Sequence, residues 1–308
     1  MIKITETLKL KAKKDVSLII NPRAGSSHSK EYAVSITSLL SERGYNTSTY
    51  FTESQGHATQ LAKELSSKSD FIVCCGGDGT LNETVCGIIE SGSDIPLGYI
   101  PAGTTNDFAK TLKLSKNLTD AVNIITEENA TSLDIGFINE QKPFVYVASF
   151  GLFASVSYAT AQESKNKYGH AAYIIDGIKS LSDIKTHKAK VTADGIVYEG
   201  SFIFGSVTNS LSLGGVMNFK ASDVTLNDGK FELLLIKTPE SITKIGSVVV
   251  SMINQQFNAK EIIFTHASEI LFEFESPTAF TSDGEYAGTY EKIKITNSKG
   301  KLRLYTKK

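Results

Sequence analysis

Residues 71–83, Phe-Ile-Val-Cys-Cys-Gly-Gly-Asp-Gly-Thr-Leu-Asn-Glu, restrict the fold more than any other stretch. Five consecutive apolar residues read as a strand buried on both faces, the mark of a parallel sheet. A glycine cluster and a helical pattern over 79–92 follow it. The same unit recurs, with apolar runs at 16–21, 46–52 and 97–101 and helical patterns at 31–44, 56–67 and 104–114. This βαβαβα order predicts an N-terminal doubly wound, mostly parallel α/β sheet domain. Ligands of such sheets sit beyond the carboxyl ends of the strands. The loops after Ile20, Cys75 and Ile100 are therefore where a site is expected.

From about Asp134 the texture changes. Runs at 144–150, 188–192, 197–209, 231–236, 261–266, 269–275 and 291–295 read as strands with few helices between them. A second, mainly antiparallel β domain is expected, with the active site in the cleft between the two. The expected division is residues 1–134 against 135–297, with a short strand at about 298–308 returning to the first domain. Lys and Arg number 32 against 33 Asp and Glu, so no excess of positive charge calls for a nucleic acid partner. Cys74, Cys75 and Cys86 lack metal-ligand spacing and read as small core residues of a reducing compartment. The first 15 residues hold no continuous apolar stretch and no run reaches a membrane span, so a cytoplasmic location is expected.

The three loops have compositions suited to phosphate. Glycines let backbone approach a ligand, and the free N–H groups of a helix start favour an anion. Gly76-Gly77-Asp78-Gly79-Thr80 follows the third run, Asn21-Pro22-Arg23-Ala24-Gly25 the first, and Pro101-Ala102-Gly103-Thr104-Thr105-Asn106-Asp107 the fourth. Neither a G-x-x-x-x-G-K-[ST] nor a G-x-G-x-x-G pattern occurs. Asp78, Asp107, Asp134, Asp228 and Glu285 each lie within two residues of a Gly or Asn, in contexts that carry reactive side chains. Asp78 lies where a purely structural carboxylate would be badly placed. Carboxylates beside a polyphosphate repel it unless a cation intervenes, so Mg²⁺ is expected.

In this order the pieces N-P-x-x-G, G-G-D-G-T-x-N-E and G-T-x-N-D-F-A resemble the diacylglycerol kinase catalytic-domain family. Leu133-Asp134-Ile135-Gly136, Ser149-Phe150-Gly151-Leu152, Asp228-Gly229-Lys230-Phe231 and Ser282-Asp283-Gly284-Glu285 extend the likeness over about residues 16–308. The resemblance implies an ATP-dependent lipid kinase that moves the γ-phosphate to a lipid hydroxyl, with diacylglycerol heading the candidates and phosphatidic acid as product. It implies that Asn21, Pro22, Arg23, Ala24, Gly25, Thr52, Gly76, Gly77, Asp78, Gly79, Thr80, Leu81, Asn82, Glu83 and Thr104 form the ATP site. It also implies a structural Mg²⁺ held by the Asp228 side chain and the carbonyls of Thr225 and Lys230, with Asp107 and Asp134 joined through water. Glu285 is the candidate general base. Residues 261–290 hold six acids and no Lys or Arg, and their field is expected to raise carboxylate pKa values there. Asp78 is expected to orient Glu285, share its proton or hold the catalytic Mg²⁺.

Relatives often read T-x-x-x-G-D-A after the second strand, where this chain has Thr52, Gly56, His57 and Ala58. The NAD kinase family shares the G-G-D-G-T loop but carries a T-P-T-G-S-T-A-Y-type segment absent here. A lipid-binding or regulatory protein without turnover is a further reading, against which the intact Asp78, Asp107, Asp228 and Glu285 argue. A lipid substrate demands peripheral docking on the inner membrane face. Residues 165–190 carry Lys165, Lys167, Lys179, Lys185, Lys188 and Lys190 against Asp176 and Asp183, interleaved with Tyr168, Tyr173 and Ile174. Such a segment suits an anionic surface. A homodimer is compatible with this reading.

Overall fold

The computed structural model describes residues 13–24, 29–104, 106–152, 185–213, 217–220, 222–257 and 259–307. Four parallel strands, β1 (Asp15–Ile20), β2 (Asn46–Phe51), β3 (Phe71–Gly76) and β4 (Leu97–Pro101), stand in the order β2-β1-β3-β4. The period of two sends alternate residues to opposite faces. Ile19, Ile72 and Cys74 pack against helices α2 (His57–Leu65) and α3 (Asp78–Ser91). Val16, Leu18, Ile20, Phe71, Val73 and Cys75 pack on the other face against α1 (Ser29–Glu42) and α5 (Leu118–Thr126), while α4 (Asp107–Thr111) is a single short turn. Cys74 and Cys75 are free core residues, and Cys86 is half-buried.

The remaining strands are β5 (Ala130–Ile138), β6 (Lys142–Phe144), β7 (Val147–Gly151), β8 (His187–Ala193), β9 (Ile196–Thr208), β10 (Ser212–Leu213), β11 (Met217–Asn218), β12 (Phe231–Lys237), β13 (Ile262–Ala267), β14 (Glu269–Ser282) and β15 (Glu285–Tyr305), with α6 (Ile242–Ile253) between β12 and β13. Pairing in the run β13-β12-β9-β7-β14-β15 is antiparallel throughout. An aromatic core of Phe150, Phe272, Phe274 and Phe280 fills one face, with ring centroids 5.0–6.0 Å apart.

Three elements differ from the sequence reading, each for a local reason. The run 144–150 is two strands, because the N–H groups of Val145, Tyr146 and Val147 turn to a carboxylate instead of a ladder. Residues 291–295 and 301–305 belong to one 21-residue strand, β15, whose register shifts between Ser298 and Leu302. The helix expected at 104–114 starts at Asp107, because Asn106 is left-handed (φ 50°) and its side chain binds the N–H and carbonyl of Gly103.

β15 joins the two regions. Its first half pairs with β14, its second half with β5, and Leu304 stands parallel to Leu97 of β4. Leu302 and Leu304 are fully buried in the core shared with α2 and α3. Leu304→Ala is expected to lower stability by about 2–5 kcal/mol, read as a shifted urea midpoint, through the cavity it leaves. A midpoint equal to that of the parent would show that the strand end carries little of the core.

Candidate active site

The loops after β1, β3 and β4 meet at the carboxyl edge of the sheet. The Asn21 N–H donates to the Cys75 carbonyl (3.0 Å) and the Ala102 N–H to that of Gly76 (2.8 Å). The Asn21 side-chain amide donates to Thr80 Oγ1 at 2.9 Å and thereby fixes the first loop on the start of α3. Two glycines of the cluster answer to the protein itself. A Cβ on Gly76 would fall 2.6 Å from Thr80, and one on Gly103 would fall 2.5 Å from the Cα of Gly77. A Cβ on Gly79, in the same loop as Gly76, would meet nothing within 4 Å. Gly77 caps α3 without any side-chain hydrogen bond, so the first N–H groups of this 14-residue helix are available to an anion.

A cleft of 860 Å³ opens over this edge. Of the residues named from the sequence, Asn21, Arg23, Ala24, Thr52, Gly77, Gly79, Thr80, Asn82, Glu83, Thr104 and Glu285 line it. Pro22, Gly76, Asp78 and Leu81 do not line it, and Gly25 lies outside the described residues. Leu81 is a core residue beneath the helix. Glu83 has a structural partner as well, because its two carboxylate oxygens accept the N–H groups of Gly56 (2.8 Å) and Ala58 (3.2 Å) at the start of α2. His57 turns back to accept the Glu53 N–H at 3.0 Å through Nδ1.

Asp78 points to the far side of its loop. It accepts the N–H groups of Asp107 (3.1 Å) and Phe108 (3.4 Å), so it secures the start of α4. A structural carboxylate is therefore well placed there, contrary to the sequence reading. Burial, opposed by these hydrogen bonds, raises its pKa. Asp107 is buried and accepts from Lys110 Nζ (3.1 Å) and Ser212 Oγ (3.2 Å).

The opposite wall comes from the β14–β15 hairpin and from β6. Gln55, Lys142 and Tyr286 line the cleft and were not singled out from the sequence, and Asp283, named there only as part of its motif, lines it as well. Glu285 accepts from Gln55 Nε2 at 3.4 Å. The acidic field expected from residues 261–290 is offset in part across strands, since three of the six acids have lysine partners: Glu273 pairs with Lys292 (3.0 Å), Glu269 with Lys294 (2.9 Å) and Glu275 with Lys188 (3.3 Å). The carboxyl that is displaced is Asp283. It is almost fully buried, and burial pushes its pKa up to about 6 against the pull of its N–H donors.

Asp134 and Asp228 lie elsewhere. Asp134 is fully buried and accepts the N–H groups of Gly229 and Gly300, both at 2.7 Å, together with Asn297 Nδ2 at 3.2 Å. Asp228 is exposed and accepts the Lys230 N–H at 2.8 Å. Around this turn the buried oxygens Asn209 Oδ1, Asn297 Oδ1 and Glu232 Oε2 have no partner among the described residues. Asn209 and Asn297 both hold Asp134 with their amide nitrogens, and Glu232 feels the charges of Asp228 and Asp223. An all-oxygen donor set of this kind suits a hard cation such as Mg²⁺. Among the described residues no three His, Cys, Asp or Glu side chains converge on a metal position, so a cation here would rest on at most two carboxylates, with carbonyls and water.

Because the folded pKa of Asp283 (about 6) exceeds the 3.8 of a free aspartate, the folded chain binds more protons than the unfolded chain between these values. Its contribution to stability is full below the lower value and is lost as pH rises through the upper one. The stability of the parent relative to Asp283→Asn is therefore expected to decline from about pH 4 to about pH 7 in urea titrations. A difference independent of pH would contradict the buried carboxyl.

Comparison with known proteins places this geometry in a family. Residues 15–138 match the diacylglycerol kinase catalytic domain, and residues 146–302 match the YegS C-terminal NAD kinase beta sandwich-like domain. The diacylglycerol kinase of Bacillus subtilis (strain 168) is 31% identical over 277 residues, which is 89% of this chain and 91% of that protein. That of Staphylococcus haemolyticus is 31% identical over 90% of this chain and 83% of its own length. The crystal structure of a diacylglycerol kinase from Bacillus anthracis superposes with a TM-score of 0.77 at 26% identity, covering 96% of this chain and 97% of that one. The catalytic-domain match, the C-terminal domain match and the near full-length relatives agree with the ordered motifs, and the chain belongs to the diacylglycerol kinase family of lipid kinases.

Proposed function

We propose that the chain transfers the γ-phosphate of ATP to a membrane lipid hydroxyl in the cleft between its parallel-sheet region and its antiparallel β region, with diacylglycerol as the first candidate acceptor. The observation that carries this reading is the meeting, in one cleft, of three loops and the uncapped start of α3 with the carboxylate of Glu285 on the opposite wall. The loops after β1, β3 and β4 cradle the phosphates, and the open start of α3 supplies N–H donors that need no reorganisation. Arg23 and Lys142 add positive charge from two sides of the cleft. Thr52 borders the adenine end. Glu285 accepts the proton of the lipid hydroxyl as its oxygen attacks the γ-phosphorus in line, and the bond to the β-phosphate oxygen breaks.

Mg²⁺ bound with the nucleotide supplies charge that offsets the phosphate oxygens. Asp78 stands behind the glycine loop and fixes α4, so its contribution to turnover runs through the shape of that loop. The second cation is assigned to the turn of Thr225, Asp228 and Lys230. Asp134 reaches this turn directly through the Gly229 N–H. Asp107 is tied to Ser212 and Lys110 instead, so its water link to the cation belongs to the proposal.

Among the described residues no helix is long and apolar enough to cross a membrane. We place the docking surface on the lysine-rich segment 165–190. Lys185, Lys188 and Lys190 are its described lysines, and Lys188 is paired with Glu275; Lys165, Lys167 and Lys179 lie outside the described residues.

The protein is expected to phosphorylate diacylglycerol in mixed micelles only with ATP and Mg²⁺, and Glu285→Ala is expected to reduce turnover roughly 10²-fold or more. Phosphorylation of NAD but of no lipid would overturn the assignment. Chelation is expected to lower the melting temperature of the parent and of Asp78→Ala but not of Asp228→Ala. If Asp228→Ala keeps the full shift, Asp228 holds no structural cation.

A further inference from the structure

The turn that carries Glu285 is fastened by the residue two positions before it. Ser282 pairs with Glu285 across the β14–β15 hairpin, and the two residues between them, Asp283 (φ 45°) and Gly284 (φ 91°), are both left-handed. A two-residue turn of this type takes Asn-Gly or Asp-Gly readily, so local conformation alone does not distinguish Asp from Asn at position 283. The surroundings do. One carboxylate oxygen accepts the Val145 N–H at 2.6 Å and the side-chain amide of Asn82; the other accepts the N–H groups of Tyr146 and Val147, each at 2.9 Å. An Asn side chain has one acceptor oxygen for this ring of donors, and its own NH₂ would face them.

These four donors come from the two sides of the cleft. Asn82 lies in the second turn of α3, the helix whose open start faces the cleft, whereas residues 145–147 lead from β6 into β7. The two segments and the hairpin meet on a single buried carboxylate, and Asn82 and Glu285 both line the cleft. The Asp283 backbone N–H adds a fifth bond, to the Val147 carbonyl at 2.8 Å.

Resting on the reading of Glu285 as the proton acceptor, we infer that Asp283 is a positioning residue that sets the Glu285 carboxylate against the phosphate-binding start of α3. Both of its carboxylate oxygens are committed to these four protein donors. Its hydrogen bonds hold the hairpin at one distance from α3, and a displacement of about 1 Å at a reacting group is enough to cost two orders of magnitude in rate.

The test is a cycle of Asp283→Asn with Glu285→Gln, read as kcat and KM for ATP with diacylglycerol in mixed micelles, with melting temperatures taken in parallel. Asp283→Asn alone is expected to lower kcat roughly 10- to 100-fold and to leave KM for ATP within about 2-fold. In the Glu285→Gln background the same change is expected to cost less than about 3-fold, because residues acting as a unit lose their effect once. Asn82→Ala keeps all three backbone bonds of Asp283 and serves if Asp283→Asn does not fold. Its kcat loss is expected to be absorbed by Glu285→Gln in the same way. Losses that multiply in the double variants, or that fall on KM for ATP, would overturn the positioning role while leaving Glu285 as the acceptor. Parent-like turnover in Glu285→Gln alone would remove the acceptor assignment itself.

Discussion

The architecture depends on the backbone hydrogen bonds of one strand. β15 runs for 21 residues and ladders first with β14, then with β5, ending beside β4. Pairing with β5 begins at Ile295, before pairing with β14 ends at Thr296, and the β5 ladder continues past a shift in register between Ser298 and Leu302. Asp134 stabilises this bend, since it accepts the Gly300 N–H there and the Gly229 N–H from the turn before β12. The antiparallel region is thus attached to the parallel one through a continuous sheet.

The acidic residues of the motifs share one physical habit. Asp78 fastens α4, Glu83 fastens the start of α2, Asp134 fastens two turns and Asp283 fastens residues 145–147, in each case by accepting backbone N–H groups. A buried N–H without a partner is costly, and a carboxylate satisfies two or more at once. Glu285 differs from these four. It is exposed, and among the described residues its hydrogen bond is to the side chain of Gln55. A carboxylate that is exposed and not committed to the backbone is what the proposed role of Glu285 requires.

The glycines divide on similar lines. Gly76 and Gly103 are required because protein atoms would fall within 3 Å of a Cβ there, and Gly77 meets Gly103 closely, which brings the second and third loops into contact. Gly79 differs from them, with nothing within 4 Å of the place a Cβ would take. Close packing of loop against loop shapes the cradle, and the open helix start then supplies the donors.

Much of this was legible in the chain. The strand at 71–76, the loops that follow β1, β3 and β4, and the acidic positions 78, 107, 134, 228 and 285 are each encoded by residues adjacent in sequence, and adjacency is what periodicity and motif spacing report. The uses of the carboxylates were not legible. Asp283 meets Asn82 across 201 residues, and Lys142 reaches the cleft only because β6 pairs back on β5. The lysines that pair with Glu269, Glu273 and Glu275 come from neighbouring strands and from outside that interval, so a count along the chain overstates the field of residues 261–290. The sequence by itself determined the parallel and antiparallel texture and the family, because buried strands and glycine turns are local demands of the backbone. The tertiary structure alone decided which acid anchors and which remains free, because that choice rests on where distant N–H groups and lysines come to lie.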